Sequence, residues 1–145
     1  MTDKKILAQR HAAAFTGTMR PWSAKEFEAL LASSLTHLIQ TKNAFALTRI
    51  VADEAELLTL ATDPTHRRQG HARALLQEIE NHANAQGATT LFLEVSAENA
   101  AAIALYLSAG YKETARRSDY YHAPEGHRID ALILTKALKA AASSG

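Results

Sequence analysis

The 145-residue chain contains no cysteine. That single absence excludes disulfides, thiolate metal sites and a cysteine nucleophile. Its seven histidines show no ligand spacing such as His-Glu-x-x-His, so no metal site is expected. No apolar run approaches the length of a membrane span, and Met1-Thr2-Asp3-Lys4-Lys5 lacks the long apolar region of a signal peptide. No internal repeat of solenoid length is visible. The net charge of +1 implies no general affinity for nucleic acid or acidic membranes. What remains is an ordinary globular composition, 47% hydrophobic and 21% charged, enough for one domain with its own core. One domain is expected over residues 1–145, with a frayed tail from about Ala140 and a cytoplasmic location.

Periodicity orders the chain. Residues Asp3 to Phe15 read as a helix, and Pro21-Trp22-Ser23 opens a second, where Ser23 and Glu26 fit a capping box. Phe27, Leu30 and Leu31 give that helix an apolar face. Three strands follow, at Leu35 to Gln40, Ala44 to Val51 and Glu54 to Thr62; their short turns make them antiparallel neighbours. A helix from about Gly70 to Gln86 carries Leu75, Leu76, Ile79 and Ala83 on one stripe. Leu91-Phe92-Leu93-Glu94-Val95 reads as a strand. Asn99 caps a helix that Gly110 ends. Two last strands, about Tyr111 to Arg117 and Ile129 to Leu134, flank a hairpin loop from Asp119 to Arg128.

The segment between the third strand and the Gly70 helix is the most informative. Arg67-Arg68-Gln69-Gly70-His71-Ala72 follows an Asp63-Pro64 turn and leads into a helix. A helix start presents unsatisfied N–H groups and the positive end of the helix dipole, and so attracts anions. Gly70 removes a Cβ where a ligand would approach the backbone, and two arginines add charge. The combination suits a pyrophosphate. The Walker spacing is absent, and only one of the three glycines of a dinucleotide fingerprint is present. Alone, the segment is equally a basic helix entry with a convenient glycine.

Two motifs in order carry a resemblance. Arg67, Gly70 and Ala72 match a Gln/Arg-x-x-Gly-x-Gly/Ala phosphate loop, and Asn99, Ala102, Leu105, Tyr106, Gly110 and Tyr111 match Asn-x-x-Ala-x-x-Leu-Tyr-x-x-x-Gly-Phe/Tyr. Together they resemble the Gcn5-related N-acetyltransferase (GNAT) superfamily. Pro21-Trp22-Ser23, Leu93-Glu94-Val95 and Tyr120-Tyr121 narrow the likeness to its bacterial ribosomal-protein-alanine N-acetyltransferase (RimI-like) branch. The likeness implies the α/β GNAT fold, a central mixed, mostly antiparallel sheet flanked by helices. The strand with which the family opens is missing or vestigial here, since only Met1 and Thr2 precede the first helix pattern.

The resemblance also assigns roles. Leu60, Ala61 and Thr62 match the strand whose main chain pairs with pantetheine. Arg67, Arg68, Gln69, Gly70, His71, Ala72 and Arg73 match the pyrophosphate loop, and Asn99 both caps its helix and bonds pantetheine. Glu94 is the general base; its place at the end of an apolar strand would raise its pKa through burial. Tyr106 is the acid beside the thioester sulfur. Trp22, Tyr120 and Tyr121 are candidates for the peptide cleft. The implied activity is acetyl-CoA-dependent acetylation of a protein N-terminal amine, in particular Ala of a ribosomal protein, by direct transfer in a ternary complex. Acetyl-CoA is the cosubstrate and no metal, nucleic acid or membrane takes part. Two alternatives stay open: acetylation of a small-molecule amine or lysine side chain, and a CoA-binding module without turnover. The pairing of Glu94 with Tyr106 speaks against the second, because binding alone needs neither.

Overall fold

In a computed structural model, the chain is described over residues 23–62, 70–123 and 125–138. The expected helix over Asp3 to Phe15, the opening strand, Trp22, Arg67-Arg68-Gln69 and the C-terminal tail lie outside the described residues. Helix α1 (Ala24–Leu31) begins at the expected capping box: Ser23 Oγ accepts from Glu26 N–H at 3.2 Å, and Glu26 Oε1 accepts from Ser23 N–H at 3.0 Å. Strands β1 (Thr36–Gln40), β2 (Ala44–Val51) and β3 (Glu54–Thr62) form the antiparallel meander that their short turns require. Helix α2 (His71–Ala85) then crosses over the sheet, because β4 (Thr90–Ser96) runs parallel to β3. Helix α3 (Ala100–Ser108) follows, and β5 (Lys112–His122) and β6 (Arg128–Ala137) close the chain as a hairpin. The sheet order is β1-β2-β3-β4-β6-β5, mixed and mostly antiparallel as expected.

Strand alternation divides the interior into two clusters. Ala44 and Ala46 of β2 face Leu75, Leu76, Ile79 and Ala83 of α2, the stripe read from sequence, together with Leu91, Leu93, Val95, Tyr106 and Leu134. Phe45 and Leu47 point the other way, to Phe27 of α1. The Phe27 and Phe45 rings meet edge to face with centroids 5.8 Å apart.

The C-terminal hairpin departs from the sequence reading. Residues Asp119 to Arg128 do not form one loop: β5 continues to His122, with Tyr121 opposite Ile129 and His122 opposite Arg128. Asp119, where the loop was expected to begin, instead sits in an irregularity of the ladder between Arg117 and Tyr121. Asp119 takes φ 53°, its N–H donates to Asp130 Oδ1 at 2.9 Å, and Arg116 Nη1 donates to Asp130 Oδ2 at 3.1 Å. The Asp119 N–H and then Arg116 hold the Asp130 carboxyl below its usual range. Strand β6 is likewise longer than the expected Ile129 to Leu134, because its ladder with β4 runs to Ala137.

Candidate active site

Strands β3 and β4 pair only from Glu54 opposite Thr90 to Leu57 opposite Leu93. Beyond that, β3 stays with β2 as far as Thr62, and β4 stays with β6 as far as Ser96. No ladder joins their C-terminal ends, so the sheet opens between them. A bulge marks the parting. Leu47 opposes Thr59 and Thr48 opposes Leu57, which leaves Leu58 as the extra residue. Leu57 and Leu60 therefore both join the α2 cluster, while Leu58 and Ala61 join the α1 cluster. The bulge re-aims the last residues of β3, Leu60, Ala61 and Thr62, where main-chain groups face an open gap instead of a partner strand.

Two helices start at this end of the sheet. Gly70 is the N-cap of α2 in the left-handed region, φ 80°, with nothing among the described residues within 4 Å of where a Cβ would stand. Among the described residues no side chain caps α2, and a helix start of this kind favours an anion. His71 and Ala72 form its first turn, and His71 Nε2 lies 3.3 Å from Asn43 Nδ2 in the β1–β2 turn. Arg73 turns aside: its guanidinium donates to Ser108 Oγ at 2.7 Å and to the Ser108 carbonyl at 3.4 Å, bracing α2 against the C-terminal end of α3. Asn99 caps α3 as expected, Oδ1 accepting from Ala102 N–H at 3.2 Å.

Glu94 is the first β4 residue past the last pairing with β3. It lies in the interior of β4 with its side chain 27% exposed, so it is neither at the strand's end nor as buried as the sequence reading had it. Tyr121 OH donates to Glu94 Oε1 at 3.0 Å, and Arg117 Nε stands 3.7 Å from Oε2. The Tyr120 and Tyr121 rings meet edge to face at 5.1 Å, and the Arg117 guanidinium lies 5.1 Å from the centre of the Tyr120 ring. Strand register explains the group: Glu94 opposes Ile133, Arg117 opposes Ala131 and Tyr121 opposes Ile129, all on one face of β6. Burial and then the Glu94 carboxylate push the Tyr121 hydroxyl well above its ordinary pKa, so it remains a donor. Arg117 was not singled out from sequence. What sequence does not give is the register across β6 that sets Arg117 beside Glu94.

Tyr106 belongs to the opposite face. It lies on α3 within the α2 cluster, 8% exposed, and burial pushes its hydroxyl up to about 12. Its ring packs edge to face on Tyr111, 5.7 Å between centroids. A carboxylate thus stands on one face of the sheet and a protonated phenol on the other, and between β3 and β4 the sheet is open from one face to the other. A long, thin ligand carrying an anionic end fits main-chain groups at the gap and the positive end of α2 at Gly70. Among the described residues, no group of three or more His, Asp or Glu side chains could hold a metal ion. Among them too, no helix is long and apolar enough to cross a membrane.

Opened parallel strands, a bulged third strand and a helix that starts at Gly70 make up the frame of the candidate site. The chain belongs to the acetyltransferase (GNAT) family, whose model matches residues 16–111, and it is an N-acetyltransferase. It is 44% identical over 118 residues, 79% of each chain, to the [ribosomal protein bS18]-alanine N-acetyltransferase of Escherichia coli strain K12. The crystal structure of the ribosomal-protein-S18-alanine N-acetyltransferase from Escherichia coli superimposes with a TM-score of 0.84 at 36% identity, covering 99% of this chain and 92% of that one. The fold is shared with yncA of Salmonella typhimurium, solved with its cofactor acetyl-CoA, at TM-score 0.75 and 20% identity over 99% of this chain and 92% of that one.

Proposed function

We propose that the chain acetylates the α-amine of a protein beginning with alanine, with ribosomal protein bS18 as substrate, by direct transfer in a ternary complex with acetyl-CoA. The observation that carries the reading is Glu94. It stands at the first position where β4 leaves β3, hydrogen-bonded by Tyr121 and flanked by Arg117 and Tyr120. The 44% identity to the Escherichia coli enzyme supports alanine and bS18 as the acceptor.

Acetyl-CoA supplies an acetyl group activated as a thioester. Leu60, Ala61 and Thr62 hold its pantetheine arm through main-chain groups, with Asn99 nearby at the start of α3. Arg67, Arg68, Gln69, Gly70, His71 and Ala72 hold its pyrophosphate. Arg73, already engaged with Ser108, helps by fixing α2 to α3. Glu94 attracts the ammonium of the peptide and takes its proton. The incoming amine competes with Arg117 for the same carboxylate. Tyr106, with its hydroxyl pushed up to about 12, keeps its proton at neutral pH for the departing sulfur. Trp22, Tyr120 and Tyr121 line the peptide cleft. Their flat rings suit a backbone and a small first side chain, whereas a lysine stem needs a deeper channel.

The test offers acetyl-CoA with a short peptide beginning with Ala, and with the same peptide blocked at its N-terminus and carrying an internal lysine. Mass spectrometry locates the acetyl group, which is expected on the α-amine. Tyr121→Ala should raise the KM for the peptide and leave that for acetyl-CoA nearly unchanged. Acetyl found on lysine alone, or on small free amines alone, rejects the N-terminal reading.

A further inference from the structure

A second cluster of polar groups lies inside the molecule, outside the chemistry assigned above. Glu80 of α2 is 7% exposed within an apolar stripe. Its two carboxylate oxygens have separate partners: Tyr111 OH donates to Oε2 at 2.9 Å, and Lys136 Nζ donates to Oε1 at 2.8 Å. Lys136 Nζ also stands 5.7 Å from the centre of the Tyr111 ring. Gly110, at φ 101°, lies against the lysine stem; a Cβ there would stand 3.4 Å from Lys136 Cε, an ordinary contact. A buried ion pair of this kind is a poor source of stability, because desolvation offsets much of the attraction and apolar residues of similar volume do as well or better. Stability alone therefore gives little reason for it.

Its position gives a better one. Tyr111 touches Tyr106 twice. The rings pack edge to face at 5.7 Å, and Tyr111 N–H donates to the Tyr106 carbonyl at 3.0 Å. Glu80 belongs to α2, and Lys136 to β6, whose Ile133 pairs directly with Glu94. We infer that Glu80, Tyr111 and Lys136 form a lock that positions the Tyr106 ring relative to the strands carrying Glu94, resting on the reading of Tyr106 as the proton donor. Tyr111 and Glu80 are positioning residues: they act through Tyr106 and touch no substrate. Packing alone would let the Tyr111 ring rock; hydrogen bonding its hydroxyl to a carboxylate that is itself tethered removes that freedom. Burial, and then the Glu80 carboxylate, push the Tyr111 hydroxyl far above its ordinary pKa, so the bond persists across the working pH range.

The experiment is a double-mutant cycle on the full chain. Tyr111→Phe removes the hydroxyl with almost no change of shape. Glu80→Gln, of equal volume, is the second variant should the first fold poorly. In the Tyr106 enzyme, Tyr111→Phe is expected to lower kcat on the order of tenfold, with both KM values within about twofold. In the Tyr106→Phe background it should lower kcat by less than about twofold, because the group it positions is gone. A readout independent of turnover is the ring-flip rate of Tyr106, followed by NMR on labelled tyrosine in the free protein; it should rise in both variants. Equal losses in the two backgrounds, or an unchanged kcat and flip rate in Tyr111→Phe, overturn the lock and leave the role of Tyr106 standing. A fully active Tyr106→Phe single variant instead overturns the reading of Tyr106, and the lock with it.

Discussion

Replacing Glu94 by glutamine separates chemistry from architecture more cleanly than any other change in the molecule. The amide keeps the shape of the side chain, and its oxygen can still accept the Tyr121 hydroxyl now 3.0 Å away. What disappears is the negative charge and the ability to take a proton. The structural loss should be small. Arg117 lies 3.7 Å away with its side chain 58% exposed, and ion pairs in such surroundings contribute about 0–1 kcal/mol. The kinetic loss should be large, because a positioned general base contributes roughly a hundredfold to ten-thousandfold. A hundredfold fall in kcat corresponds to about 2.7 kcal/mol of transition-state stabilisation. Initial rates with an Ala-initiated peptide, followed by release of the CoA thiol, give kcat and both KM values. Urea melts of the same variant give its stability. The expected pattern is kcat down at least a hundredfold, the KM for acetyl-CoA nearly unchanged and stability within about 1 kcal/mol of the parent. The acidic limb of the pH–rate profile should also go. A Glu94→Gln enzyme with kcat within about threefold of the parent would refute the assignment of the base.

Three further outcomes follow from the geometry. Acetyl-CoA at about a hundred times its Kd should add about 2.7 kcal/mol to the stability, a rise in Tm of roughly 5–11 °C by scanning calorimetry; no shift at millimolar ligand would remove the cofactor site from the β3–β4 gap. Gly70→Val should weaken CoA binding at least about tenfold by isothermal calorimetry, since its side chain would enter open space at the helix start. At φ 80° it should also cost about 1–2 kcal/mol in urea melts, and a variant binding CoA normally would show that the ligand does not approach there. Because burial raises Tyr106 in the folded chain to about 12, the unfolded chain releases this proton first; between about pH 10 and 12 this group should remove about 1.4 kcal/mol of stability per pH unit, and below pH 10 nothing. Denaturant melts at stepped alkaline pH should show a shallower decline in Tyr106→Phe, and an identical decline would place that hydroxyl in water.

Local signals carried much of the fold. Ala44 to Val51 was legible as a short apolar run and Glu54 to Thr62 as an alternating one, both bounded by short turns. Ser23 and Asn99 marked their helices because an N-cap is a contact between residues three apart. The candidate site was proposed from contiguous stretches, Gly70-His71-Ala72 and Asn99 to Tyr106, and from Glu94 as a carboxylate in an apolar run. Where long-range pairing outweighs turn propensity, that reading failed, as at Asp119, which the β5–β6 ladder carries through as an irregularity.

Tertiary structure alone decided three matters. The parting of β3 and β4 depends on which neighbour each strand keeps, and that choice is settled by the bulge at Leu58 and the ladders to β2 and β6. The grouping of Glu94, Arg117 and Tyr121 depends on register across β6, where a shift of one residue would send a side chain to the other face. The lock of Glu80, Tyr111 and Lys136 joins residues far apart in the chain; on a sequence, Glu80 is simply a charged residue on a helix. Helix caps, strand alternation and a glycine helix start are short-range physics and are written in short stretches of sequence. The distance between an acid and a base is set by packing and register summed over the whole sheet, and it exists only once the chain has folded.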